Sequence, residues 1–377
     1  MRVLIAPAPF KGSLSSGAAA DAIARGLRTG FPERATVRSP LADGGEGTLA
    51  VLRRALGGEL QFVRVADPLG RTVTAELGWL PDGVAVVEMA EAAGLARLSP
   101  SERDPLRAST YGVGQLMGAA LDAGAREIWI ALGGSATVDG GLGLLQALGV
   151  RLTDAEGRQV PRGGRGLRKL ATLDPTGLDP RLDRVTLRAL CDVDSPLLGP
   201  QGAPLFMAQK GATTQGIEAL SAGLARFADR AERAFGREVR SLSGSGAAGG
   251  LGAALALLGA ELTSGARFVL DALAIDAELA RCDLVLTGEG QIDAQTLRGK
   301  AVGALAERAR AHGRPVVALC GAYAGSLAAL RALGLAAVLP IGRGPATLAD
   351  ALASAEADLA ATAESLAGLL RALGSQA

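Results

Sequence analysis

Short apolar runs alternate along the chain with glycine-rich polar loops, and most loops lead into apolar positions at helical spacing. Residues 2–7 predict a strand, 8–16 a loop, and 17–28 a helix that Ser15 or Ser16 would cap. A second strand over 36–39 runs into Pro40-Leu-Ala-Asp-Gly-Gly-Glu-Gly-Thr48 and then a helix over 49–56. Strand, loop and helix twice over is the rhythm of a parallel sheet. The pattern then changes. Residues 61–65, 72–79 and 84–89 predict strands with short connections, antiparallel or mixed. A helix is expected from about 108 to 123. Residues 128–132 read as a buried strand ended by Gly133 and Gly134, with Ser135, Ala136, Thr137 and Asp139 before apolar residues return at helical spacing. Residues 157–166 read as a basic, glycine-rich surface loop, 186–192 as a strand, 217–234 as an amphipathic helix, and 247–262 as one buried helix. From Asp283 the parallel rhythm resumes: strands over 283–287, 315–320 and 336–341, helices over 302–311, 326–333 and 348–373. The two ends look alike and the middle differs. The economical organisation is one α/β domain, residues 1–62 plus 283–377, split by an inserted mixed α/β domain over 63–282.

Composition narrows the function. The chain has 377 residues, enough for about two domains, and 49% hydrophobic residues, which supports a large core. Lys+Arg 39 against Asp+Glu 38 leaves net charge +1, and aromatics are 3%, so neither a basic field nor a base-stacking surface points to nucleic acid. Cys191, Cys282 and Cys320 are far apart and form no metal-type spacing. His312 is the only histidine, so histidine-dependent triads and zinc sites have almost no candidate. The apolar tract 247–262 is broken by glycines and contains Glu261, short of a membrane span. No secretory pattern is visible at the start, and a cytoplasmic protein without membrane attachment is expected.

The candidate chemistry is distributed over several loops. A Walker A loop is absent; the nearest run, Leu297-Arg-Gly-Lys300, lacks the first glycine at the required offset. Gly244-Ser-Gly-Ala-Ala-Gly249 has dinucleotide-loop spacing, but Arg237-Glu-Val-Arg-Ser before it makes a poor buried strand. What recurs is a carboxylate near a strand end beside glycines: Asp43 and Glu46, Asp139, Asp192 and Asp194, Glu289 and Asp293. Carboxylates there can hold Mg²⁺ bridging substrate phosphates. Of four lysines, Lys11, Lys210 and Lys300 each adjoin a glycine. Glycine loops, carboxylates and lysines together are the parts of nucleotide-dependent phosphoryl transfer. Each carboxylate taken alone is more often a cap or a turn residue.

The motifs Phe10-Lys-Gly-Ser-Leu, Pro40-Leu-Ala-Asp-Gly-Gly-Glu-Gly-Thr48, Glu88-Met-Ala-Glu-Ala-Ala-Gly-Leu95, Leu132-Gly-Gly-Ser-Ala-Thr, Cys191-Asp-Val-Asp, Gln209-Lys-Gly-Ala, Gly246-Ala-Ala-Gly-Gly-Leu-Gly and Thr287-Gly-Glu-Gly-Gln-Ile-Asp run in order over nearly the whole chain. Together they resemble the bacterial glycerate kinase family. The resemblance implies a flavodoxin-like domain split by an insertion, with the site in the cleft between the two. It implies ATP and Mg²⁺ as cofactors, D-glycerate as substrate and 2-phosphoglycerate as the usual product. Another small hydroxy acid, or a non-catalytic nucleotide- or acid-binding regulator, are the alternatives, and a homo-oligomer stays open. In this frame Asp192 and Lys11 are expected to be catalytic, and Ser13 and Lys210 to bind substrate. Gly133, Gly134, Ser135, Ala136, Thr137, Gly246, Gly249 and Gly250 would cradle phosphates, and Asp43, Asp194 and Glu289 would serve the metal. The sequence departs from the family pattern twice: Ala8-Pro9 stands in place of Asp-Ser, and Met207-Ala208 in place of Gly-Pro.

Overall fold

The computed structural model describes residues 1–31, 35–293, 296, 300–324 and 326–374. Two strands come first, β1 (Val3–Ile5) and β2 (Thr36–Arg38). There follow β3 (Glu59–Ala66), β4 (Thr72–Leu80), β5 (Val84–Glu88), β6 (Glu127–Ala131), β7 (Arg151–Thr153), β8 (Thr172–Asp174), β9 (Thr186–Leu190) and β10 (Glu261–Thr263). The last are β11 (Leu284–Ile292), β12 (Val316–Tyr323) and β13 (Leu335–Pro340). The chain divides into two compact units. The first holds Met1–Asp43, Ala50–Ala55 and Ala266–Ala377; the second holds Gly44–Leu49 and Leu56–Gly265.

In the first unit the strand order is β13-β12-β11-β1-β2. Every pairing is parallel, with Val3 opposite both Leu284 and Thr36. This is the doubly wound order of flavodoxin-like folds. Because side chains alternate across a strand, each face of the sheet has its own core. Leu4, Val285, Val316 and Ala318 point to one side with Leu305 and Leu279. Val3, Ile5, Leu284, Leu286 and Leu319 point to the other with Ile23 and Leu359. Each fully buried aliphatic side chain is worth about 1.5–3 kcal/mol of transfer free energy.

The second unit is built on a mixed sheet of order β10-β9-β6-β5-β4-β3. The antiparallel pairs β3–β4 and β4–β5 form one side, and β5, β6, β9 and β10 are mutually parallel. The carboxyl ends of those four parallel strands therefore lie along one edge. They carry Glu88, the 132–135 turn, Cys191-Asp192 and Ser264.

The structure departs from the sequence pattern at four places. First, β11 does not stop at Thr287 but runs through Gly288-Glu-Gly-Gln to Ile292. Glycine is needed at 288 because a Cβ there would collide with the Leu319 carbonyl on the neighbouring strand. Second, the apolar tract 247–262 is a helix, Ala247–Leu257, followed by the edge strand β10. Third, the helices Gly265–Ala272 and Ile275–Arg281 were not apparent in the sequence. Ala266, Leu270, Ile275 and Leu279 pack in the first unit's core, so that unit takes up the chain again at Ala266, earlier than 283. Fourth, the 157–166 loop ends in the helix Gly164–Lys169, whose Gly164, Gly166 and Leu167 are buried. A Cβ on Gly223 would sit 2.6 Å from that of Leu167, so the helix Thr214–Phe235 lies directly on it. Leu297, Arg298 and Gly299 of the run ending at Lys300 lie outside the described residues.

Candidate functional site

In the first unit, β1 and β11 are adjacent, and the chain leaves them towards opposite flanks of the sheet. Ligands in open α/β sheets bind beyond the carboxyl ends of strands at such a point. After β1 the chain continues alongside β11, with Ala6 and Ala8 amides donating to Leu286 and Gly288 carbonyls at 2.8 Å. The tight turn 10–14 follows. Phe10, 2% exposed, is rooted in the core. Its carbonyl accepts from the Ser13 and Leu14 amides and from Ser13 Oγ at 3.0 Å, and Gly12 takes φ +82°. Lys11 is thereby held out at the tip, exposed. Ser13, expected to meet substrate, uses its hydroxyl to brace this turn.

Gly290 of β11 lets the turn settle on it, since a Cβ there would lie 3.4 Å from the Lys11 amide. Next to it Glu289 accepts from Thr296 Oγ1 at 2.6 Å. Burial pushes its carboxyl up, only partly offset by that hydrogen bond and the charges of Lys300 and Lys11. Asp43, beyond β2, is half-buried, and its carboxylate has no hydrogen-bond partner among the described residues. Thr296 and Lys300 are additions that sequence reasoning passed over or left unassigned. Lys300 precedes the helix Ala301–Ala311.

In the second unit the 133–137 loop is fixed by its neighbours on both sides. The Gly133 amide donates to the Gly44 carbonyl at 2.9 Å, and the Ala136 amide to that of Ala93 at 2.9 Å. The amides of Gly134 and Ser135, on the more exposed half, have no partner among the described residues. Beneath them lies Lys210, expected to bind substrate and 4% exposed. Its Nζ donates to Ser135 Oγ at 2.7 Å and to the Thr137 carbonyl at 2.9 Å. A single-turn helix, Ala208–Lys210, delivers it, and Gly211 at φ +95° ends that turn against the Arg103 carbonyl. Burial pulls the Lys210 ammonium down to about 7, with Asp139 opposing the shift.

Asp139 is not a metal-type carboxylate. It is fully enclosed and accepts from the Thr110 amide at 2.8 Å and the Gly141 and Gly143 amides at 3.0 and 3.3 Å. Thr137 is also buried, its hydroxyl turned to the Ala248 carbonyl at 3.4 Å. Asp192, partly buried after β9, accepts from Ser264 Oγ at 2.9 Å. Asp194 is exposed, and among the described residues only its carbonyl is engaged, by Ser243 Oγ at 3.4 Å.

Gly246, Gly249 and Gly250 are all buried. The first would collide with the Pro196 carbonyl if it bore a Cβ, and the second with the Thr137 carbonyl. Close backbone packing thus already requires these glycines. Gly249 also has φ +69°. Gly249→Ala is therefore expected to cost about 2–4 kcal/mol, from positive-φ strain and overpacking together. The check is the shift of the urea unfolding midpoint.

Among the described residues no three or more His, Cys, Asp or Glu side chains group closely enough to hold a metal between them. No helix there is long and apolar enough to cross a membrane.

Three comparisons with known proteins agree. The sequence profile of the glycerate kinase family matches residues 3–371. A glycerate kinase of Bacillus subtilis (strain 168) is 43% identical over 98% of both chains. A glycerate 2-kinase of Escherichia coli (strain K12) is 40% identical over 98% of both. The crystal structure of a protein assigned as glycerate kinase 2 from Salmonella typhimurium LT2 superposes with TM-score 0.85 at 44% identity, covering 100% of each chain. From end to end, in order and in fold, the chain belongs to the glycerate kinase family.

Proposed function

We propose that this chain transfers the γ-phosphoryl group of ATP to D-glycerate, with 2-phosphoglycerate as product. The observation that carries the reading is the end-to-end likeness to glycerate kinases, the Escherichia coli relative among them being a glycerate 2-kinase. Several of the residues described above suit such a reaction. In the transfer, a glycerate hydroxyl oxygen bonds to the γ-phosphorus while the bond from that phosphorus to the bridging oxygen breaks. ADP leaves, and the hydroxyl proton passes to a carboxylate, which we assign to Asp192. Ser264 orients that carboxylate. Lys11 and Lys210 are the cations assigned to the anionic groups, Lys11 as an exposed charge and Lys210 through the loop it holds. The open amides of Gly134 and Ser135 receive anionic oxygens. To donate to substrate Ser13 would have to release the Phe10 carbonyl, whereas its oxygen is still free to accept.

Mg²⁺, when bound, neutralises phosphate charge and needs only one or two protein carboxylates beside those phosphates. The oxygen donors Asp43 and Glu289 fit that demand. Asp43 has no other partner among the described residues, and Glu289 is a partly buried carboxyl that a cation would help to ionise. Asp194 is the third candidate. The three cysteines are unpaired, as a reducing cytoplasm would keep them.

Ala8-Pro9, where the family pattern has Asp-Ser, leaves a carboxylate and a hydroxyl out of the turn beside Lys11. This favours a second reading, a related small hydroxy acid as acceptor. ADP release with Mg²⁺·ATP should be measured across D-glycerate, L-glycerate, glycolate and tartronate. D-Glycerate is expected to give the highest kcat/KM. A higher value for one of the others would replace the substrate, and no turnover with any would leave a binding protein.

A further inference from the structure

Glu88, the last residue of β5, lies outside the assignments above, yet it is 7% exposed and faces a loop rather than a cation. Its two carboxylate oxygens accept from the Leu49 amide at 2.6 Å and the Gly47 amide at 3.3 Å. Those amides belong to the start of the helix Thr48–Leu56 and to the glycine loop before it. Thr48 Oγ1 closes the same loop by donating to the Gly45 carbonyl at 2.7 Å. The loop in turn supports the 133–135 turn. The Gly44 carbonyl takes the Gly133 amide at 2.9 Å. A Cβ on Gly133 would strike Gly45, and one on Gly134 would lie 2.7 Å from Glu46 Oε1. Glu88 is thus the side-chain anchor of two glycine loops that rest on each other.

We infer that Glu88 is a positioning residue: its ionised carboxylate fixes the Gly44–Leu49 loop, and through it the turn whose Gly134 and Ser135 amides are open. Two backbone donors converging on one carboxylate stabilise its charged form, and protonation removes one acceptor oxygen and the charge. The ionisable groups acting on it are Glu46, on the loop, and Glu91, on the short helix Ala90–Ala93. Both carry the same charge. Burial first, then this repulsion, pushes Glu88 up to about 7, against the pull of the Leu49 and Gly47 hydrogen bonds. The anchor therefore lets go as pH falls through the neutral range. In stability terms the sign is opposite. The folded state binds the proton more tightly than the unfolded chain, so this group's contribution is full below its ordinary range and is lost as pH rises through about 7. The loop is held at a cost to global stability, which marks a group retained for local geometry.

The test is amide hydrogen exchange of the whole protein, followed by mass spectrometry, in wild type and Glu88→Gln. At pH 8 the variant is expected to exchange about tenfold faster in peptides covering residues 44–49 and 133–135, with β6 and β9 unchanged. Between pH 8 and 6, after correction for intrinsic rates, wild-type protection of those peptides should fall towards that of the variant. This second measurement needs no variant, so a misfolded Glu88→Gln would still leave the inference exposed to refutation. Equal protection of residues 44–49 in both proteins at pH 8, or wild-type protection independent of pH, would overturn it. The readout needs no substrate, so its result is separable from the outcome of the hydroxy-acid assays.

Discussion

Asp192→Asn is expected to lower kcat for phosphoryl transfer by about 10²–10⁴-fold, the usual contribution of a positioned general base. The substitution keeps size and shape, and the asparagine carbonyl oxygen can still accept from Ser264 Oγ. Folding and the neighbouring geometry should therefore survive, and what disappears is the site that receives the hydroxyl proton. KM for glycerate should change much less than kcat, because the interaction removed matters most in the transition state. The check is steady-state kinetics of ADP release, with near-ultraviolet circular dichroism as the folding control. Turnover within a few-fold of wild type would remove Asp192 from the mechanism and leave it as a structural partner of Ser264.

The second large effect is expected at Lys210. Lys210→Met keeps the length of the side chain but leaves the Thr137 carbonyl and Ser135 Oγ without their donor. A buried acceptor left unsatisfied costs about 1–3 kcal/mol, and the 133–137 loop should loosen where its open amides lie. KM for the anion that the loop receives should rise about tenfold or more. The pH dependence is the sharper readout. Wild-type kcat/KM should fall on the alkaline side of about 7 as the Lys210 ammonium loses its proton, and this limb should be missing in the variant. Stability moves the other way. Between about 7 and the ordinary lysine value of 10.5 the unfolded chain holds a proton that the folded chain does not. Wild-type stability therefore gains with rising pH through this window, and Lys210→Met lacks that gain. Urea midpoints of the two proteins at pH 6.5 and pH 9 measure the difference, and parallel shifts in both would refute the account. If Glu88 governs the acid limb as inferred, the wild-type profile is a narrow bell, and each substitution removes one side.

The first sheet was readable because its strands are short apolar runs bounded by glycine and proline. Their capping residues, such as Ser15 and Ser326, are the types that helix starts require. Legibility failed where tertiary contact decides the local structure. In the 247–262 tract apolar residues continue on both sides of the helix end at Leu257, so the return as β10 is marked by no more than Gly259 and Glu261. Glycines at 288 and 290 look like strand breakers, whereas here they admit neighbouring backbone and keep β11 going. The same holds at the site. Lys11 and Glu289 could be singled out by their company of glycines. Glu88 falls in the strand predicted over 84–89, and its two donors come from residues about forty positions earlier. Lys210 could be singled out in the same way as Lys11, but its burial is visible only once Ser135 and Thr137 have been folded over it.

The Gly44–Leu49 loop has one further implication. It packs with the second unit, although the residues on either side of it belong to the first. The second unit is thus not self-contained along the chain: its fold borrows six residues from inside its host's sequence. A fragment cut to start at Leu56 would leave the Glu88 carboxylate without the Leu49 and Gly47 amides, and the Gly133 amide without its acceptor.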